Sequence, residues 1–177
     1  APVVLELRRR RREFLCALAI TSQHREMLAP MLDFFGLVPQ HDLDVMRPDQ
    51  KLGELTGRVL VGLDRVLETE RPDWVVVQGD TTTAMAAGLA AFYRKIRLAH
   101  VEAGLRTNDK LSPFPEEINR RLVGVLADLH FAPTDQAVRN LRKEGVPAGK
   151  IVRTGNTVTD ALLWAARKIR REPPPLP

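Results

Sequence analysis

One cysteine, Cys16, in a chain of 177 residues leaves no room for a disulfide framework and suits a reducing compartment. Its neighbours, FLCALAIT, read it as a buried strand residue rather than a nucleophile. Aromatics are equally scarce. Six Phe, two Trp and one Tyr are present, and none interleaves with the arginines, so no stacking platform for single-stranded nucleic acid is visible. No apolar run has the length of a membrane span. The N-terminal APVVLELRRRRR places its charges after the apolar part, the reverse of a secretory signal, so the cytoplasm is the default expectation. There is no internal repeat, low-complexity tract or C-x-x-C pair. Neither G-x-G-x-x-G nor a Walker-type loop occurs, so the usual backbone cradles for phosphate are missing.

What the sequence does have is 44% apolar residues, enough for one domain with a real core or for part of a longer chain. The formal charge is +5 and the pI about 9.9, an arginine-driven balance that can attract anions of several kinds. The run Arg8–Arg12 reads as the solvated end of a helix, and no nucleic-acid or membrane partner is expected from it.

Apolar spacing predicts helices over Pro2–Arg12, through Phe35 after the turn SQHR, and over 51–69, 81–93, 115–127, Asp135–Glu144 and Asp160–Arg170. Continuous apolar runs predict strands at Phe14–Thr21, 73–78, 97–101, Leu129–Ala132 and Ile151–Thr154, with a short one at Leu43–Met46. The tail PPPLP reads as a stiff linker or frayed end. Strands alternating with helices imply parallel pairing and right-handed crossovers. The expected class is therefore α/β, a three-layer Rossmann-like sheet.

Residues 78–120 organise the chain: QGDTTTAMAAGLAAF, then HVEAGLRT, then SPFPEEINR. Asp80 and Glu102 fall at the carboxyl ends of two predicted strands, where an open parallel sheet lines its ligand crevice. Carboxylates converging there could act as general acid and base. The plain structural alternatives are a helix cap for Asp80, a turn residue bonded to Thr107 for Glu102, and favourable first-turn charge for Glu116 and Glu117. Glu116–Arg120 and Glu117–Arg121 are also i,i+4 pairs. Glu116 and Arg120 point away from the apolar stripe Ile118, Leu122, Val125 and Leu129, toward solvent or a cleft.

The segments TSQHREML (21–28), GDTTT (79–83), HVEAGLRT (100–107), SPFPEEINR (112–120) and TGNTVTDAL (154–162) occur in an order and spacing that resembles the non-hydrolysing UDP-N-acetylglucosamine 2-epimerase family, over nearly the whole chain. The resemblance implies the amino-terminal half of a two-domain GT-B-type fold. Residues 1–155 would form the Rossmann-like domain and 156–177 a hinge and linker helix toward a second domain. It implies interconversion of UDP-GlcNAc and UDP-ManNAc by elimination of UDP, through a 2-acetamidoglucal, and re-addition, with no metal or redox cofactor. Asp80, Glu102 and Glu116 match the family's acidic trio and Arg120 its accompanying arginine. Gln23 and Arg58 match positions that contact a second, activating UDP-GlcNAc, while Glu26 stands where glutamine and glutamate vary. A homodimer of the full-length protein and a role in supplying ManNAc units to surface polysaccharide are further implications.

Two departures accompany this resemblance. The family's opening strand and its G-T-R-P-E-like loop have no counterpart, and neither does the carboxyl-terminal domain, so the 177 residues alone are expected to be inactive. Without that strand, Phe14–Thr21 and Trp74–Gln78 are expected to present unpaired edges or to close on each other, leaving the isolated chain aggregated or poorly folded. The rival readings are a catalytically inactive nucleotide-sugar-binding or interaction domain, and half of a GT-B glycosyltransferase or hydrolysing epimerase. A family-like second domain in the same reading frame would separate them.

Overall fold

The computed structural model describes residues 1–22, 25–47 and 49–173. In chain order the elements are α1 (Pro2–Arg9), β1 (Ala19–Ile20), α2 (Arg25–Phe35), β2 (His41–Asp42), α3 (Leu52–Glu70), β3 (Trp74–Gln78), α4 (Thr82–Tyr93), β4 (Arg97–Val101), α5 (Glu116–Leu126), β5 (Leu129–Ala132), α6 (Asp135–Lys143), β6 (Ile151–Arg153) and α7 (Thr157–Arg171). Strands β3, β4, β5 and β6 lie side by side in that order, each pair parallel, and β1 pairs with β2 in a separate parallel ribbon. This is the expected α/β class. Every strand-to-strand connection in the larger sheet carries a helix, as parallel pairing demands.

The expectations fail around the first strand. Phe14–Thr21 is not an eight-residue buried strand; only Ala19–Ile20 pairs, and Leu15 is fully exposed. An apolar run becomes a strand only where a ladder partner takes up its backbone groups, and here that partner is the two-residue β2. Leu43 and Val45 prolong the ribbon through N–H bonds to the Ile20 and Thr21 carbonyls without becoming a strand themselves. Cys16 is half-buried and lies outside any strand. β1 and β3 do not pair with each other. Just past β1, the Thr21 hydroxyl lies 3.2 Å from that of Thr83 on α4.

Helix α1 stops at Arg9, short of the predicted Arg12. Arg9 and Arg10 bond Glu6, and Arg8 donates to the Val38 carbonyl and Gln40, so the basic run is partly engaged within the fold. Helix α7 starts three residues earlier than predicted and folds back onto α2. Trp164 packs against Phe34 and Phe35, and Lys168 donates to the Phe34 carbonyl. Of the predicted tail, residues 174–177 lie outside the described residues.

The main core joins α3, α4 and α5 to β3 and β4. Ala84, Ala86, Ala87, Ala90 and Ala91 bury one small side chain after another, which lets α4 sit closely between α3 and α5. A Cβ on Gly88 would stand 3.1 Å from Leu98, so even an alanine crowds this contact. A second cluster packs Ala103, Ala132, Ala137 and Leu141 around α6. The net effect is a rigid support for the carboxyl ends of β3 and β4.

Candidate functional site

Asp80 follows the turn that ends β3. Gly79 takes φ +73, open to glycine without cost, and its N–H bonds the Val101 carbonyl of β4. The hydroxyl of Thr81, not Asp80, caps α4 by accepting from the Ala84 N–H. Asp80 is thereby left free of the capping role that would have explained it away. Its carboxylate instead accepts from Arg120 of α5, whose side chain is only 11% exposed.

Glu102 follows β4 with φ +65, a left-handed conformation that is uncommon for a residue with a side chain and concentrates at functional sites. Its expected partner, Thr107, is engaged elsewhere. Glu102 is approached by two amides: Gln78 Nε2 at 3.5 Å from Oε2 and Asn156 Nδ2 at 3.4 Å from Oε1. Gly104 at φ +88 then turns the chain so tightly that α6 passes against it.

Helix α5 contributes Arg120 and holds the loop between β4 and α5. Glu117, fully buried, accepts the N–H groups of Thr107 and Asn108 and the Nε of Arg121, and lies 3.5 Å from Arg120. Burial pushes its carboxyl up, but the bonds from Thr107, Arg121 and Asn108 together hold it below its ordinary value. The expected Glu116–Arg120 pair is replaced by this Glu117–Arg120–Asp80 chain. The predicted apolar stripe also turns outward: Ile118, Leu122 and Val125 are exposed, while Glu117, Asn119 and Val123 face inward. The reason is the loop 104–112, whose backbone N–H groups need an acceptor that Glu117 supplies.

Behind the site, His100 of β4 donates from Nε2 to the Gly79 carbonyl at 2.8 Å, and its ladder partner is His130 of β5. Burial pushes both imidazoles below their ordinary value, His100 down to about 4. Arg106, almost wholly buried, fixes the same loop to the end of α6 by a two-pronged bond to Glu144.

Gly79, Asp80, Glu102, Leu105 and Arg120 line one small cavity of about 50 Å³. Two carboxylates from separate strand ends and one guanidinium thus share a concave site. Glu116, half-buried in the first turn of α5, is not among its lining residues. Arg58 lies on α3, bonded to Gln50 and near Glu54, away from this lining as well. Gln23 lies outside the described residues. Among the described residues no group of three or more His, Cys, Asp or Glu is placed to hold a metal ion.

A sequence profile described as UDP-N-acetylglucosamine 2-epimerase matches residues 6–175. The chain belongs to the UDP-N-acetylglucosamine 2-epimerase family. It is 49% identical over 170 residues to the UDP-N-acetylglucosamine 2-epimerase of Neisseria meningitidis, covering 96% of this chain and 45% of that protein. The Bacillus subtilis enzyme is 52% identical over 167 residues, covering 94% of this chain and 44% of that one. Among solved structures, the Neisseria meningitidis epimerase bound to UDP-GlcNAc superposes with a TM-score of 0.90 at 48% identity, over 96% of this chain and 46% of that one. The Methanocaldococcus jannaschii epimerase in complex with UDP-GlcNAc and UDP gives 0.75 at 41% identity, over 80% and 38%. The chain therefore spans less than half the length of these epimerases. Family membership agrees with the resemblance carried by the five motifs.

Sequence reasoning gives no site role to Gln78 or Asn156, and reads Glu117 only as first-turn charge paired with Arg121; the structure keeps that pair and adds the buried acceptor role toward Thr107 and Asn108. For Asn156 a signal existed: Gly-Asn-Thr after a strand is an N-cap pattern, obscured by placing the helix start at Asp160.

Proposed function

We propose that the whole protein of which these residues are part interconverts UDP-GlcNAc and UDP-ManNAc. The observation that carries this is the cavity at the ends of β3 and β4, where Asp80 and Glu102 stand with Arg120. Inverting C2 requires a base on one face of the sugar and an acid on the other. Removal of the C2 proton with departure of UDP from C1 gives a 2-acetamidoglucal; reprotonation at C2 from the opposite face and re-addition of UDP complete the inversion. Asp80, Glu102 and Glu116 supply the proton transfers, and Arg120 binds substrate while holding Asp80 in place. Gln23 and Arg58 belong to a second nucleotide-sugar site that activates the enzyme. Residues 156–177 lead toward a second domain that closes the cleft, a reading supported by the share of the related epimerases that this chain covers.

The protein works in the cytoplasm, as a homodimer. No helix among the described residues is long and apolar enough to cross a membrane, and the outward stripe Ile118, Leu122, Val125 supports a protein partner at α5. Following UDP-GlcNAc by NMR with the whole protein tests the reading. UDP-ManNAc is expected to accumulate to an equilibrium reached from either side. Release of free ManNAc would instead make it a hydrolysing enzyme, and an unchanged substrate would leave a binding domain.

A further inference from the structure

Asn156 uses both ends of its amide. Oδ1 accepts the Val158 N–H and so caps α7, which leaves Nδ2 as the group that faces Glu102 Oε1 at 3.4 Å. The capping bond fixes which end of the amide is which, so the group presented to the carboxylate is a donor. On the other oxygen, Gln78 Nε2 reaches Glu102 Oε2 at 3.5 Å and the Thr157 hydroxyl at 3.3 Å. The carboxylate at the strained position after β4 thus stands between the end of β3 and the first residues of α7. The charged groups sharing its cavity are Asp80 from the β3–α4 turn and Arg120 from α5; its two amide partners are neutral.

We propose that Asn156 is a positioning residue that orients the Glu102 carboxylate and ties that orientation to the start of α7; its role in turnover rests on the epimerase reading above. Glu102 has a flexible side chain on a left-handed backbone, so without an external donor its oxygens are free to leave the cavity. The Asn156 amide at the α7 cap, with Gln78 on the other oxygen, holds the carboxylate toward the cavity and links it to the start of α7.

Two substitutions separate positioning from simple helix capping. Aspartate caps a helix as well as asparagine does, and its charge suits a helix amino terminus, so Asn156→Asp keeps α7 intact. It also sets a carboxylate against Glu102, which disfavours ionisation of the pair. Asn156→Ser keeps a cap and removes the amide donor.

In the whole protein, Asn156→Asp is expected to remain folded with a cooperative melt, lowered only by the repulsion it introduces beside Glu102, and with the acidic limb of its kcat–pH profile moved to higher pH. Asn156→Ser is expected to lower kcat about 10- to 100-fold with KM little changed, the penalty of a misplaced reacting group. Wild-type turnover and an unmoved acidic limb in both variants would overturn the proposal. Titration of the Glu102 side-chain carboxyl by carbon-13 NMR reads the contact without turnover: its midpoint rises in Asn156→Asp, and an unmoved midpoint overturns the proposal. If the wild-type protein does not interconvert the two sugars, the functional reading falls, while this titration still decides whether Asn156 faces the Glu102 carboxylate.

Discussion

Arg120 of α5 donates to the Asp80 carboxylate across a separation of 40 residues, with buried Glu117 on its other side. One guanidinium thus links a strand-end carboxylate to the acid that anchors the loop 104–112. Lysine offers one compact charge and cannot span both acids with a planar fork. Arg120→Lys in the whole protein is therefore expected to lower kcat/KM about 10- to 100-fold while folding persists. Steady-state kinetics beside a melting curve check this; unchanged kinetics would reduce the pair to a structural contact.

Gly104 makes a sharper structural prediction. At φ +88 its added Cβ would lie 2.9 Å from both the Ala137 carbonyl carbon and Leu141 Cγ, with backbone that cannot swing aside. Gly104→Ala is expected to destabilise the fold by about 2–4 kcal/mol, the sum of a left-handed penalty and overpacking. Denaturant unfolding measures it. A loss well under 1 kcal/mol would mean that α6 can back away from the β4 turn.

Stability should fall in acid before most carboxylates titrate. His100 is held neutral by burial, its value lowered from 6.5 to about 4, and burial lowers His130 as well. The unfolded chain therefore takes up protons below pH 6.5 that the folded one refuses until about pH 4. Stability is present above pH 6.5 and is lost as pH falls through that window. For His100 alone the linkage amounts to about 3 kcal/mol. Melting curves from pH 7 to pH 4 should show the loss, and His100→Gln, which keeps a donor for Gly79, should flatten it. An equally steep loss in that variant would assign the effect elsewhere.

Much of this was legible in the sequence, and the exceptions share a cause. Trp74–Gln78, Arg97–Val101 and Leu129–Ala132 appear as predicted, because each continuous apolar run finds partner strands and helices. Phe14–Thr21 has the same composition but lacks partners, so composition alone misled. The acids at the strand ends were placed by the positions of Asp80 and Glu102 after apolar runs. The inward face of α5 was misread because its burial is polar, set by the hydrogen-bonding needs of a loop that periodicity does not describe. Asn156 and Gln78 reach Glu102 only through tertiary contact.

The β3 edge predicts association. Trp74 and Val76 are exposed on β3, whose one ladder partner among the described strands is β4. An apolar edge with unpaired backbone groups recruits other chains. The 177-residue chain by itself is expected to sediment as species larger than a monomer, and Val76→Lys to reduce them. A monomeric profile with a sharp cooperative melt would contradict this.

The most direct test of the account follows the hydrogen at C2. The whole protein, given UDP-GlcNAc in deuterium oxide, is expected to yield UDP-ManNAc with deuterium at C2. Asp80→Asn, Glu102→Gln and Glu116→Gln are each expected to slow that exchange by about 10²- to 10⁴-fold with folding intact. Product that retains its protium at C2, or exchange at the wild-type rate in all three variants, would contradict the claim that these carboxylates move the proton.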